Sequence, residues 1–401
     1  AFAYGIYMST DSSKFLVMKS LDVKKNENEV YYFKTVDVKT LKVINNFSYT
    51  MPSVEKNTVF KDLLINKDGV VFMLVVIKNV DAKEKNKGKS KEEKVEKYSY
   101  RIITANPAKN FATKDFNVSI LGKDLTELKL RHNPLTGKVY GLAYYADLKS
   151  SGRAKGGING LAYLSLDEEK VDLEKSSFKD FPDNIVTELE GGRAARKKNG
   201  IDGSFEIKYV LTREDGGMYF VLEDEYVTSS TTCSNNGRCV THYHYHNEAV
   251  LITSFSPQGA IEWYSIIPKH QVTTDDGGYR NSIYAHNVNG KLHVVFNGSK
   301  KIIEENDVSR SMNLSSHKKS AIIDVIIDKN GKYTLAEIDN KVGKNTYVIL
   351  PKYADKINPK EAVIIGLKNL KNKCLISMCT CGGLFRPKKK DDKKLAKLIF
   401  N

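Results

Sequence analysis

The chain is poor in the residues that would give its function away. It has one tryptophan, nine prolines and five cysteines in 401 residues. No run approaches the eighteen or so consecutive apolar residues that a membrane-crossing helix needs, so no transmembrane segment is expected. There is no GxSxG elbow, HExxH pair, phosphate-binding P-loop or dinucleotide fingerprint. Their absence sets aside the common serine hydrolases, zincins, nucleotide hydrolases and dehydrogenases, and no cofactor is expected. Helical periodicity with end caps is scarce as well. The start, "AFAYGIYMST", lacks both an initiator Met and a basic-then-apolar signal pattern, which suggests a trimmed product with a segment missing before Ala1.

What is present is the composition of a folded protein, 41% hydrophobic and 28% charged. The 63 Lys and Arg outnumber the 48 Asp and Glu, leaving +15. Such a field draws in anions, whether nucleic acid, acidic polysaccharide or lipid headgroups. The basic runs "RAARKK" and "RPKKKDDKKLAK" lack the interleaved aromatics that base stacking requires. Nucleic acid is therefore not expected, and an acidic polymer remains a candidate partner.

Along the chain one pattern recurs: an apolar or alternating run, a short turn built on Gly, Asn or Asp, and a second run rich in Val, Ile, Tyr and Phe. "DLLINKDGVVFMLVVI", "LRHNPLTGKVYGLAYY", "YVLTREDGGMYFVLED", "SFSPQGAIEWYSI", "NVNGKLHVVF" and "DVIIDKNGKYTLAEI" all read as hairpins. The turn residues supply positive φ at little cost. Four strands in about 60 residues is the size of a propeller blade. The pattern predicts an all-β protein: a single β-propeller domain over residues 1–401 with about six, or seven, four-stranded blades. The units begin near residues 1, 57, 125, 204, 281 and 345. Residues 386–401 read as a basic tail whose "KKLAKLIFN" supplies a closing strand.

The stretch "LTREDGGMYFVLEDEY", continued by "THYHYHNEAVLITSFSPQGAIEWYSIIPKHQVTTDDGGYRNSIYAHNVNGKLHVVFN", carries a resemblance. With "YGIYMSTDSSKFLVMKSLDVKKNENEVYYFKTVDVKTLKV", it resembles an uncharacterised family of exported, β-propeller-like envelope proteins of Bacteroidota. The similarity covers most of the chain and is weakest over 345–401. It implies export to the periplasm, the outer membrane or the exterior, and carries no assigned reaction.

Cys233 and Cys239 flank "SNNGR", a turn that would bring their sulfurs across from one another. In an oxidising compartment they would form a disulfide, stabilising by about 2 kcal/mol through loop entropy. Free thiols and a mixed zinc site with His242, His244 and His246, which alternate along one strand face, are the other readings. No obvious carboxylate orients these histidines, so no metal is expected. Cys374, Cys379 and Cys381 leave their pairing open.

The favoured binding surface is the polar segment after Trp263: Lys269, Gln271, Asp275, Asp276, Tyr279 and Arg280. Propeller ligands dock on such connections. Asp275 and Asp276 as a calcium site is a weaker reading than a solvated turn. No catalytic residue stands out. The function expected is a non-catalytic envelope propeller, a binding or scaffold subunit for an envelope or cell-surface protein. The alternative is a hydrolase or lyase of an acidic polysaccharide, marked by His, Tyr and carboxylates converging at one place. Non-reducing peptide mapping of untreated protein should recover Cys233 and Cys239 in one linked fragment; two freely alkylated thiols would refute the pairing.

Overall fold

The computed structural model describes residues 3–21, 24, 26–54, 57–78, 98–118, 123–133, 135–148, 157–167, 172–197, 200–201, 204–309, 312–313, 320–339, 341–342, 345–358, 361–367 and 393–399. Cys374, Cys379 and Cys381 lie outside the described residues. No helix among those described is long and apolar enough to cross a membrane.

Strands follow one another as antiparallel meanders. The first sheet is β1 (Ala3–Met8), β2 (Lys14–Ser20), β3 (Asn28–Asp37) and β4 (Val43–Val54). The second is β5 (Thr58–Ile65), β6 (Val71–Lys78), β7 (Tyr98–Asn106) and β8 (Ala112–Val118). The third is β9 (Lys123–Asn133), β10 (Lys138–Asp147), β11 (Gly160–Asp167) and β12 (Asp172–Asp180). The fourth comprises β13 (Phe205–Thr212), β14 (Met218–Cys233), β15 (Cys239–Phe255) and β16 (Ile261–Ile267), joined at its far end by β17 (Gln271–Thr274). The fifth contains β18 (Tyr284–Val288) and β19 (Lys291–Ser299). After β20 (Met312–Asn313), which pairs in parallel with β17, it continues with β21 (Ser320–Ile327) and β22 (Tyr333–Ile338). A two-strand ladder, β23 (Lys341–Val342) and β24 (Asn345–Thr346), precedes the sixth sheet. There β25 (Val348–Ile349) and β26 (Asp355–Asn358) share one edge of β27 (Glu361–Leu367), and β28 (Lys393–Ile399) takes the other. This is the β-propeller class, and the sheets begin within a few residues of where the turn spacing places them. A short helical pair, Asp183–Glu190 and Gly192–Lys197, was not legible as such; its first helix buries Ile185 and Val186.

Residues Ala1–Gly203 and Ser204–Asn401 form two compact units, the first with three described sheets and the second with three and the β23–β24 ladder. The packing inside each explains why the middle strands read as unbroken apolar runs. Strand β6 is "VFMLVVIK", and its alternation sends Phe72, Leu74 and Val76 into a core shared with the third sheet. Val71, Met73, Val75 and Ile77 point the other way, into a core shared with the first. The second unit repeats the scheme: Leu292, Val294 and Phe296 of β19 pack against the fourth sheet and Val295 against the sixth. Each fully buried side chain of this size contributes roughly 1.5–3 kcal/mol, and a sheet covered on both faces collects that contribution twice over.

The turns work as their residues require. Asn289 and Gly290 both take positive φ in the two-residue turn between β18 and β19. Between β21 and β22, Gly331 sits at φ +80° beneath Trp263, whose Nε1–H donates to the Lys329 carbonyl at 2.8 Å. A Cβ on Gly331 would lie 2.8 Å from the indole, whereas one on Gly290 meets nothing within 4 Å. Gly290→Ala should therefore cost about 1 kcal/mol from backbone strain alone. Gly331→Ala should cost at least twice that, read as the difference in denaturant midpoints. Equal losses would show that the indole contact is immaterial.

Candidate functional site

Two adjoining β-bulges shape the fourth sheet. The register between β13 and β14 shifts between Ile207 and Tyr209, leaving Lys208 without a cross-strand partner. The register between β14 and β15 shifts between Glu223 and Glu225. Bulges re-aim side chains, and these gather Lys208, Glu223 and Glu225 at one place. The sheet's first strand brings the cation and its second strand both carboxylates.

Glu223 is fully buried. One of its oxygens lies 2.7 Å from the Lys269 ammonium, itself 2% exposed as a residue. The other accepts from Asn247 Nδ2 at 3.1 Å and from the Ser282 hydroxyl, with Lys208 Nζ at 3.8 Å. Lys269 also donates to the Asn247 carbonyl at 2.8 Å and to Gln271 Oε1 at 3.1 Å. Gln271 in turn accepts from the Ser282 backbone and donates to the Asn297 carbonyl. Asn297 closes the network by bonding the Arg280 and Ile349 carbonyls and accepting from the Ile349 N–H. One polar hub thus ties the fourth, fifth and sixth sheets.

Glu225 is the accessible member, with its side chain 25% exposed. It takes hydrogen bonds from Lys208, from Asn247 Nδ2 at 3.1 Å and from Lys352 at 2.7 Å. Because one nitrogen, Asn247 Nδ2, bonds both glutamates, their oxygens are no more than about 6 Å apart.

The electrostatics differ sharply across this short distance. Burial acts to raise the Glu225 carboxyl, but Lys208 and Lys352 outweigh it and hold the group down at about 2. Burial likewise opposes the charge of Lys208, yet Glu223 and Glu225 outweigh it and raise the ammonium above the ordinary lysine range. At Lys269 burial wins over Glu223 and lowers it. Tyr209, beside the group, is pushed up to about 12 by burial and by Glu223. The arrangement is an ionised, partly exposed carboxylate next to a fixed cation.

The segment singled out from sequence proves to be mainly internal. Four of its residues, Gln271–Thr274, form β17 rather than a loop, pairing with β15 over His244–Asn247. Lys269 and Gln271 belong to the hub just described. Asp276 and Arg280 are also buried: Arg280 donates to one Asp276 oxygen through Nε at 2.9 Å and a terminal nitrogen at 2.6 Å, while Thr273 and the Gly278 N–H hold the other. Tyr279 packs on Val348, Leu350 and Leu367, with the Arg280 guanidinium 5.5 Å from its ring. Asp275, partly exposed, reaches His242 Nδ1 at 2.6 Å. Lys208, Glu223, Glu225 and Lys352 escaped the sequence reading. The bulges that unite them leave no motif, and Lys352 stands 127 residues from Glu225.

The long β14–β15 ribbon ends in the Cys233–Cys239 disulfide. His242, His244 and His246 do share a face, and carboxylates do meet them, because β17 brings Asp275 to His242 and Glu248 lies between His246 and His270. The expectation that no carboxylate orients these rings is corrected. Hydroxyls engage them too: Ser230 and Thr274 bond His244, and Thr228 bonds His246. Among the described residues, no group of three or more His, Cys, Asp or Glu is placed to hold a metal ion.

No family model matches the chain, and neither does any curated protein sequence. Solved structures are similar to it in fold. An exo-1,5-α-L-arabinanase from a bovine ruminal metagenomic library is 14% identical, covers 83% of this chain and 96% of its own, and has a TM-score of 0.31. The β-propeller domain of the trilobed protease of Pyrococcus furiosus is 9% identical over 90% and 89%, with a TM-score of 0.31. A protein of unknown function from Bacteroides caccae is 10% identical over 83% and 96%, with a TM-score of 0.25. The expectation of a non-catalytic binding or scaffold subunit finds no support in this comparison, in which the arabinanase is joined by further glycoside hydrolases.

Removing one partner of a buried ion pair leaves the other charge uncompensated, at a typical cost of about 3–5 kcal/mol. Lys269→Met should lose stability on that scale in chemical denaturation, and adding Glu223→Gln should restore a large part of it. A double variant as unstable as the sum of both single ones would mean that the pair is not coupled.

Proposed function

We propose that the protein is a hydrolase of acidic polysaccharides, working outside the cytoplasm, with Glu225 as its reacting-centre carboxylate. The observation that carries this reading is Glu225 itself, a partly exposed carboxylate that hydrogen bonds from Lys208 and Lys352 keep ionised. As a glycosidic C–O bond breaks, the ionised Glu225 stabilises the positive charge that develops at the anomeric carbon, and water completes the step, its hydroxyl ending on that carbon and its proton on the departing oxygen. Glu223, Lys269 and Gln271 act as the rigid support that fixes the strand on which Glu225 stands.

The excess of 15 positive charges supports an anionic polymer as substrate, since it would speed encounter at low ionic strength. The Cys233–Cys239 disulfide and the resemblance to exported envelope proteins of Bacteroidota support a periplasmic, outer-membrane-associated or extracellular location.

Incubation with polygalacturonate, alginate and sulfated polysaccharides should release new reducing ends from at least one of them. Glu225→Gln should lower kcat by about 100-fold or more while the folded state persists in circular dichroism. Products bearing a new double bond would indicate a lyase, and no turnover of any acidic polymer by the wild type would end the reading.

A further inference from the structure

The sixth sheet offers Glu225 more than a counter-ion. Between β25 and β26 the chain makes a single 3-10 turn, Pro351–Tyr353. Pro351 stands at its start and is buried, and its ring presets the backbone for the turn. The Tyr353 N–H bonds the Leu350 carbonyl at 3.0 Å, the Ala354 N–H bonds Pro351 at 3.1 Å, and Leu350 is anchored to the Ile365 carbonyl at 2.9 Å. The turn is therefore tied to β27 and holds its two outward residues in place.

Those residues are Lys352 and Tyr353. The Lys352 side chain is 31% exposed, and among the described residues its ammonium hydrogen-bonds to Glu225 alone. An ammonium carries three donors, so two are left to face solvent or a ligand. Tyr353, 59% exposed, is one of the large aromatic side chains that the fold leaves uncovered. A cation with spare donors, hydrogen-bonded to Glu225, and an exposed aromatic ring are thus consecutive residues of one turn.

We infer that Lys352 and Tyr353 form the subsite that selects an acidic sugar, a uronate unit of the polymer. The apolar C–H face of the pyranose lies on the Tyr353 ring, and the sugar carboxylate takes the free donors of Lys352. A neutral sugar would keep the stacking and lose the ion pair. The inference rests on the proposed hydrolase reading and goes beyond it by naming the residues that discriminate substrate charge.

Calorimetric titration with trigalacturonate and with its methyl ester separates the two. Wild-type protein should bind the acid more tightly than the ester. Lys352→Ala should weaken the acid about tenfold at low salt and leave the ester unchanged, the size expected for one charge-assisted hydrogen bond. Lys352→Arg should restore the preference, and Tyr353→Ala should weaken both ligands alike. Equal wild-type affinity for acid and ester, no binding of the acid, or an unchanged preference in Lys352→Ala would overturn the subsite. If the wild type still releases reducing ends from an acidic polymer in any of those cases, the hydrolase reading survives without it.

Discussion

Burial of the middle strands on both faces is the constraint from which the rest of this structure follows. A sheet that is apolar on two sides cannot stop at one neighbour, because its second face would remain in water. In the first unit β6 and β7 serve two cores at once, with Ile102 on one side and Ile103 on the other. In the second unit β19 and β21 do the same through Phe296 and Val295, and Ile323 and Ile322. Face-to-face stacking of successive meanders is the solution that a chain of short hairpins can reach without long crossovers.

Such stacking leaves polar residues nowhere to go unless they satisfy one another. Lys269 and Glu223 show how this is managed. Neither is tolerable alone in an interior, yet together with Asn247, Gln271, Ser282 and Asn297 nearly every donor and acceptor finds a partner. The hub sits where β13 and β14 bulge, so the strain of the irregular register and the concentration of charge coincide. Glu225 lies at the rim of the hub, and its contacts with Lys208 and Lys352 decide its ionisation.

Burial also changes the meaning of residues that look like surface chemistry. Asp276 and Arg280 have the composition of an exposed binding loop, but each fills a pocket prepared by the other. Their ion pair lies within the connection from β17 to β18, where Asp275, Gly277, Gly278 and Ser282 take positive φ. The segment thereby brings Asp275 to the histidine ribbon and Ser282 to Glu223. It acts by positioning other groups.

The amino-acid sequence on its own determined the strands, the hairpins and the class of fold. These rest on local rules: alternation along "KFLVMKS", unbroken apolar runs such as "VFMLVVI", and turns that need Gly or Asn at positive φ. It also determined the Cys233–Cys239 bond, whose partners are separated by one turn. The tertiary structure alone decided the site. Glu223 meets Lys269 across 46 residues and Glu225 meets Lys352 across 127, and both meetings depend on bulges and on sheets packed face to face. No spacing along the chain encodes such contacts, because the attraction between these charges gains strength only where the closed core has displaced water from around them.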